Sequence, residues 1–202
     1  MARQTGAKIK LMRKIGEDLG LKTNSLKVAR RLLVRPGQHG ARGRRKLSDF
    51  GQQLKEKQKV KLIYGILEKQ LRKLYQDASQ SSSATGSGLL SLLERRLDNV
   101  VYRLGWAPTR AFARQTVSHG HVQVNQKKMD IPSYRVNVDD VITLTAKGSK
   151  IPILAELIKE DAAVPPEWLN KKKTVAKVAR LPERNDIRET IEEQLVVEYY
   201  SR

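Results

Sequence analysis

Apolar residues recur along this chain at two different periods, and the change between them marks its most informative stretch. Between Leu92 and Leu144, Leu93, Leu97, Val100, Val101 and Leu104 fall at i, i+4, i+7, i+8 and i+11. That spacing predicts a helix with a single apolar stripe, ended by Gly105. Thr109 can cap a shorter helix in which Ala113 and Val117 face inward, Arg110 and Arg114 stack on the opposite side, and Gly120 is the stop. The period then drops to two. Val122 and Val124 alternate with polar residues, as do Val136 and Val138, and Val141 to Leu144 is a β-branched run. Two helices leading into a small antiparallel sheet are expected.

Elsewhere the pattern is helical. Leu26 to Val34 predicts a short helix within a basic arm. From Ser48 or Asp49 as cap, Leu54, Val60, Ile63, Ile66 or Leu67, Leu71 and Leu74 follow in steps of three and four, with a break expected near Gly65. Lys55, Lys57, Lys59 and Lys61 fall around what this reading makes the outer face. Ser79 to Gly88 is small and polar and reads as a connector. Ile153 to Asp161 predicts another helix, and Asp186 can cap a last one carrying Ile187, Ile191 and Leu195. Trp168 reads as a packing anchor.

Composition turns this outline toward a polyanionic partner. The chain of 202 residues carries a net charge of +19, a self-repulsion that nucleic acid or, second, an anionic membrane surface would relieve. The charge is uneven: residues 1–50 hold fourteen Lys/Arg against three Asp/Glu, and residues 181–202 hold three against six. Aromatics at 5% are too few for a binder that works mainly by base stacking and favour recognition of folded RNA through phosphates and shape. No apolar run approaches the roughly 18 residues of a membrane span, so a soluble, intracellular protein is expected. Without cysteine there is neither a disulfide nor a cysteine-ligated zinc, and three histidines provide no metal spacing.

The candidate contacts to RNA are Arg95, Arg96, Arg103, Arg110 and Arg114 on the two helices, with Gln115, Ser118, His119, His121, Lys127 and Lys128 from the helix end, turn and strands that follow. Guanidinium forks suit phosphate oxygens, although Asp98, three residues from Arg95, implies that some module arginine makes an internal ion pair. Lys55, Lys57, Lys59 and Lys61 are read as phosphate contacts as well, against the plainer reading of a solvated face. Arg42, Arg44, Arg45 and Lys46 crowd cations onto a loop that Pro36, Gly37, Gly40 and Gly43 keep out of regular structure. Lys171 to Lys173 can touch phosphate or stay hydrated, and the sequence leaves both open. The pair His119 and His121 has neither a carboxylate partner nor a nucleophile signature in its motif, so it reads as turn residues or donors to RNA. Phosphate-binding and nucleophile motifs are lacking, Gly86 to Gly88 being only a fragment of one.

The words ERRLDNVVYRLG, ARQTVSHGHVQVN, PSYRV and VDDVITL, in that order, resemble the RNA-binding module of the small-subunit ribosomal protein S4 family. LSDFGQQLKEKQKVKLIYGILEKQ and the ending VVEYYSR extend the resemblance to both sides of the module. The sequence departs from the family where Gln126 follows Asn125 and Asp139 precedes Asp140, positions that usually hold glycine. Asn and Asp tolerate left-handed backbone, so those turns are expected to survive. The resemblance implies an α+β fold: a mostly helical N-terminal domain completed by the C-terminal tail, with an inserted module of two helices packed on a small antiparallel sheet. Its parts would be a basic arm and loop at 1–47, a helical domain at 48–89 completed by 181–202, the module at 90–155, and a return connection at 156–180.

By the same resemblance the chain is a non-enzymatic constituent of the small ribosomal subunit, in the cytoplasm or in an organelle. It would bind ribosomal RNA at a multi-helix junction, nucleate assembly, support translational accuracy beside neighbouring small-subunit proteins, and repress its own message. Arg42, Arg44, Arg45 and Lys46 would line the messenger RNA entrance. No cofactor, membrane or homo-oligomer is expected. The module also occurs on pseudouridine synthases and a tyrosyl-tRNA synthetase, but the residues outside it contain no catalytic motif. A general basic chaperone is the remaining alternative.

Overall fold

A computed structural model describes residues 4–40, 46–81, 84–160 and 164–202. The chain divides into two compact units, Met1–Leu89 with Glu189–Arg202, and Leu90–Arg188.

The first unit is helical: α1 (Lys8–Ile15), α2 (Ser25–Leu32), α3 (Asp49–Ile63), α4 (Glu68–Ser79), the first half of α5 (Thr85–Glu94), and α9 (Glu193–Tyr200). Asn24 and Ser48 cap α2 and α3 by accepting from Lys27 N and Gly51 N, which satisfies amide groups that the helix itself leaves unpaired. The expected break at Gly65 is present, with α3 ending two residues before it. Arg13 donates to the carbonyls of Val34 and Arg35 and ties α1 to the chain beyond α2. Met12, Val60, Ile63, Ile66 and Leu71 are buried. The C-terminal helix α9 packs on α3 and α4: Phe50 stacks on Tyr199, Tyr75 stacks on Tyr200, and the Tyr200 hydroxyl donates to Glu68 at 2.7 Å. Two expectations shift here. Helix α5 already starts at Thr85, so the connector is shorter than Ser79 to Gly88. Asp186 caps no helix; it lies in a 3-10 turn, accepts from Glu183 N and pairs with Arg180, and α9 begins only at Glu193.

The second unit holds α6 (Leu97–Arg103), α7 (Arg110–Ser118), β1 (Val122–Val124), β2 (Lys127–Lys128), β3 (Val141–Leu144), α8 (Pro152–Glu160), β4 (Leu169–Lys172) and β5 (Val175–Val178). The strands form an antiparallel sheet in the order β2-β1-β3-β5-β4. One face, with Val122, Val124, Ile142, Leu144, Ala176 and Val178, closes on α6 and α7. Trp168 is fully buried in that core, as expected of an anchor.

The apolar stripe from Leu93 to Leu104 is buried as its spacing implies, but on two helices rather than one. At Arg96 the backbone turns extended and bridges Arg135. Leu97 N and Asp98 N, which have no acceptor inside α6, donate to the carbonyls of Tyr134 and Pro132, while Val136 N donates to Arg95 O. The PSYRV segment thus caps α6 with its own backbone, which is why Val136 is buried without lying in a named strand. The helix expected over Ile153 to Asp161 is α8, and within residues 156–180, read from sequence as a return connection, the hairpin β4–β5 joins the sheet. Asn125, Gln126 and Asp139 all adopt positive φ, at 50°, 65° and 69°, the conformation that glycine would take without strain. Asn125 donates to Asp140 and accepts from Val141 N, fixing the β1–β2 turn against β3.

Candidate nucleic-acid interface

The module's arginines divide by burial. Arg96, 3% exposed, reaches Asp98 through Nε at 3.1 Å and Nη2 at 2.7 Å, and Arg114 approaches the same carboxylate at 3.7 Å. Arg103 grips Glu94 with two hydrogen bonds of 2.8 and 2.7 Å, and Asn99 donates to that carboxylate too. Arg110 donates to Asn99 and lies over the Tyr102 ring at 4.4 Å. Arg95 donates to Val136 O and Asn137; burial, with Arg135 nearby, pulls its pKa below the ordinary guanidinium value. The internal pair expected between Asp98 and a module arginine is therefore present, and its partners are Arg96 and Arg114. Arg114 does not stand on a face opposite Ala113 and Val117; all three are buried. In the seven-residue helix α6, Asp98 and Asn99 are buried beside the apolar stripe, and the arginines that reach them fold inward as paired charges.

The lysines of α3 likewise leave the outer face assigned to them. Lys57 and Lys59 are buried; Lys59 and Lys55 pair with Glu17, and Lys57 and Lys61 with Glu68. Burial works against the Glu68 carboxylate, but donors from Tyr200, Lys57 and Lys61 outweigh it and hold its pKa below 4.5. The same balance, with Lys59 and Lys55 as donors, lowers Glu17. Glu56 goes the other way: burial dominates and raises its pKa, with Lys59 only partly compensating at 3.6 Å.

Of the candidate RNA contacts on the module, those left open lie at its α7 end. Gln115, Ser118, His119, Lys127 and Lys128 are exposed, and His121 is half-buried with its ring 6.2 Å from that of His119. Gly120 lies between the histidines at φ 71°, and a Cβ there would meet the flexible end of Lys128 and push it aside. Helix end, turn and hairpin therefore present amide, hydroxyl, imidazole and ammonium groups on one continuous edge. Lys46 is exposed, whereas Arg42, Arg44 and Arg45 lie outside the described residues. No group of acidic and imidazole side chains suited to a metal occurs among the described residues, and no helix among them is long and apolar enough to cross a membrane.

Comparison with known sequences shows the family to which the chain belongs. Residues 3–94 match the Ribosomal protein S4/S9 N-terminal domain, and residues 95–142 match the S4 domain. The whole chain aligns with the small ribosomal subunit protein uS4 of Methylobacillus flagellatus at 49% identity over 205 residues, covering 98% of that protein. It aligns with uS4 of Chloroflexus aurantiacus at 48% over 210 residues and with uS4 of Herpetosiphon aurantiacus at 49% over 213, covering all of each. The chain belongs to the uS4 family. The S4 domain match ends at Ile142, inside β3, so β4 and β5 extend the sheet of this uS4 family member beyond it. Sequence reasoning missed Trp106, which is fully buried and donates from its ring nitrogen to Lys173 O at 2.9 Å. It also missed Asn99 and Asn137, whose amides organise Arg110 and Arg95. A lone tryptophan just after the Gly105 stop was the available signal for the first; nothing in the spacing marked the asparagines.

Proposed function

We propose that the chain is a structural, non-catalytic constituent of the small ribosomal subunit that binds its ribosomal RNA through the α7 end of the module. Support comes chiefly from the sorting of charge within the module. Arg96, Arg103 and Arg114 are consumed in buried ion pairs that stiffen α6 and α7, and the groups left outward at the edge are mainly donors, with Asp130 the acid two residues beyond Lys128. A preformed edge loses little entropy on binding RNA by its phosphates and shape. Lys127, Lys128, His119, Gln115 and Ser118 make the direct contacts; Arg95 and Arg110 shape the surface beside them. The buried arginines and the α3 lysines act by holding the scaffold.

Full-length identity to uS4 proteins favours the finer assignments as well. The chain binds a multi-helix junction early and nucleates assembly, meets neighbouring small-subunit proteins, and supports decoding accuracy in a cytoplasmic ribosome. The loop of Arg42, Arg44, Arg45 and Lys46 contacts messenger RNA at its entrance. Binding of small-subunit RNA should weaken with salt at a slope of about −0.9 per phosphate neutralised. Potassium titrations with wild type and Lys127→Ala/Lys128→Ala test this, and a flat plot, or a slope that the double variant leaves unchanged, rejects the assigned edge.

A further inference from the structure

The outer face of the five-stranded sheet carries a second set of cations. Cross-strand register places Lys128, Gln123, Thr143, Val175 and Lys172 in one row from β2 to β4. Val141, Lys177 and Asn170 form the row beside it. With strands about 4.8 Å apart, the first row spans roughly 19 Å. Its ends are cationic and its middle is neutral: Thr143 donates to Gln123 at 3.3 Å, and Val175 beside them is small. Lys128, Lys172, Val175, Lys177 and Asn170 are exposed and the others half-buried, so this face is open while its reverse carries the core.

Two further features concern the β4–β5 turn. Lys173 occupies it with φ 49°, a left-handed conformation that strains a lysine and that glycine adopts freely. Its carbonyl accepts from the buried Trp106, which pins the turn to the core. A lysine thus stands on a pinned backbone turn where conformational preference calls for glycine. Asp139, an acid on this side, is offset by Lys177 at 2.8 Å.

We infer that this sheet face is a second RNA-binding surface, meeting the α7 edge only at Lys128, that seats a phosphate backbone across Lys172, Lys173 and Lys177. The inference rests on the ribosomal RNA reading above but concerns a different surface. RNA is the fitting occupant because the face offers spaced ammonium groups and hydrogen-bonding amide and hydroxyl groups, with neither aromatic side chains for stacking nor the large apolar centre of a protein interface. Lysines on the edge strand β4 also keep that edge from pairing with another strand.

The test uses the full chain and small-subunit ribosomal RNA, with wild type, Lys172→Ala/Lys173→Ala/Lys177→Ala, and Lys173→Gly. The triple variant should make the salt slope shallower by about 2 to 3, roughly a hundred- to thousand-fold greater loss of affinity at 0.1 M salt than at 1 M. It should also lose one patch of backbone protection while keeping that of the α7 edge. Lys173→Gly should melt no lower than wild type yet lose about 0.9 of slope, which a purely structural lysine would not do. Unchanged slope and protection overturn the inference while leaving the α7 edge intact. Protection that depends on added small-subunit proteins makes the face a protein interface instead. Absence of saturable wild-type binding rejects the RNA reading itself.

Discussion

Replacing Asp98 by alanine would leave two guanidinium groups facing each other inside the module. Arg96 and Asp98 are 3% and 4% exposed, and their two hydrogen bonds, with Arg114 at 3.7 Å, are what neutralise this cluster. Removing one partner of a buried pair costs about 3–5 kcal/mol, mainly because a charge remains desolvated without compensation. For a unit of roughly 100 residues each kcal/mol moves the melting midpoint by about 4–8 °C, so Asp98→Ala should melt more than about 12 °C below wild type. Both tryptophans, Trp106 and Trp168, lie in this unit and are buried, so fluorescence in urea follows its unfolding with little signal from the helical unit. Arg96→Met/Asp98→Leu/Arg114→Met should recover most of the loss, since apolar groups of similar volume carry no desolvated charge. A loss below about 1 kcal/mol for Asp98→Ala, the worth of a surface pair, or a triple variant as unstable as the single, would refute the reasoning.

Gly120→Ala combines a positive φ with a collision against Lys128; it should cost about 1–2 kcal/mol and displace Lys128, seen as weaker RNA binding in the fraction that remains folded. The helical unit should lose stability as pH falls below 4.5, because Glu68 and Glu17 have folded pKa values depressed below that ordinary value and must protonate. Hydrogen exchange of α3 and α4 would report this, and Glu68→Gln should flatten the profile. Glu56, with its raised pKa, contributes with opposite sign, so Glu56→Gln should not destabilise the protein at pH 7. Replacing Arg42, Arg44, Arg45 and Lys46 by alanine should spare assembly and slow translation selectively on messengers with stable structure just downstream, measured against unstructured controls; equal slowing of both would assign the loop to the scaffold.

Periodicity was a good guide to burial and a poorer one to where elements break or charges go. Leu97, Val100, Val101, Leu104, Ala113 and Val117 are all in the core, as their spacing implies. The interruption at Arg96 is set by Arg135, thirty-nine residues away, and no local signal could announce it. The β4–β5 hairpin was hidden because Lys171, Lys172 and Lys173 mask the alternation of Leu169, Ala176 and Val178. Arginines at helical spacing look alike in sequence. Whether each meets a carboxylate or solvent depends on Glu94 and Asp98, and on how short α6 is. Lysines of α3 were misplaced for the same reason, since their partners Glu17 and Glu68 come from other segments.

Chemical footprinting of naked small-subunit ribosomal RNA with the full chain tests most directly whether the α7 edge is the contact. Wild type should protect a compact set of backbone positions at one junction, at stoichiometric protein, and Lys127→Ala/Lys128→Ala should lose a defined part of that set without a change in melting temperature. Diffuse protection that grows with protein concentration, or a footprint indifferent to those two lysines, would contradict it.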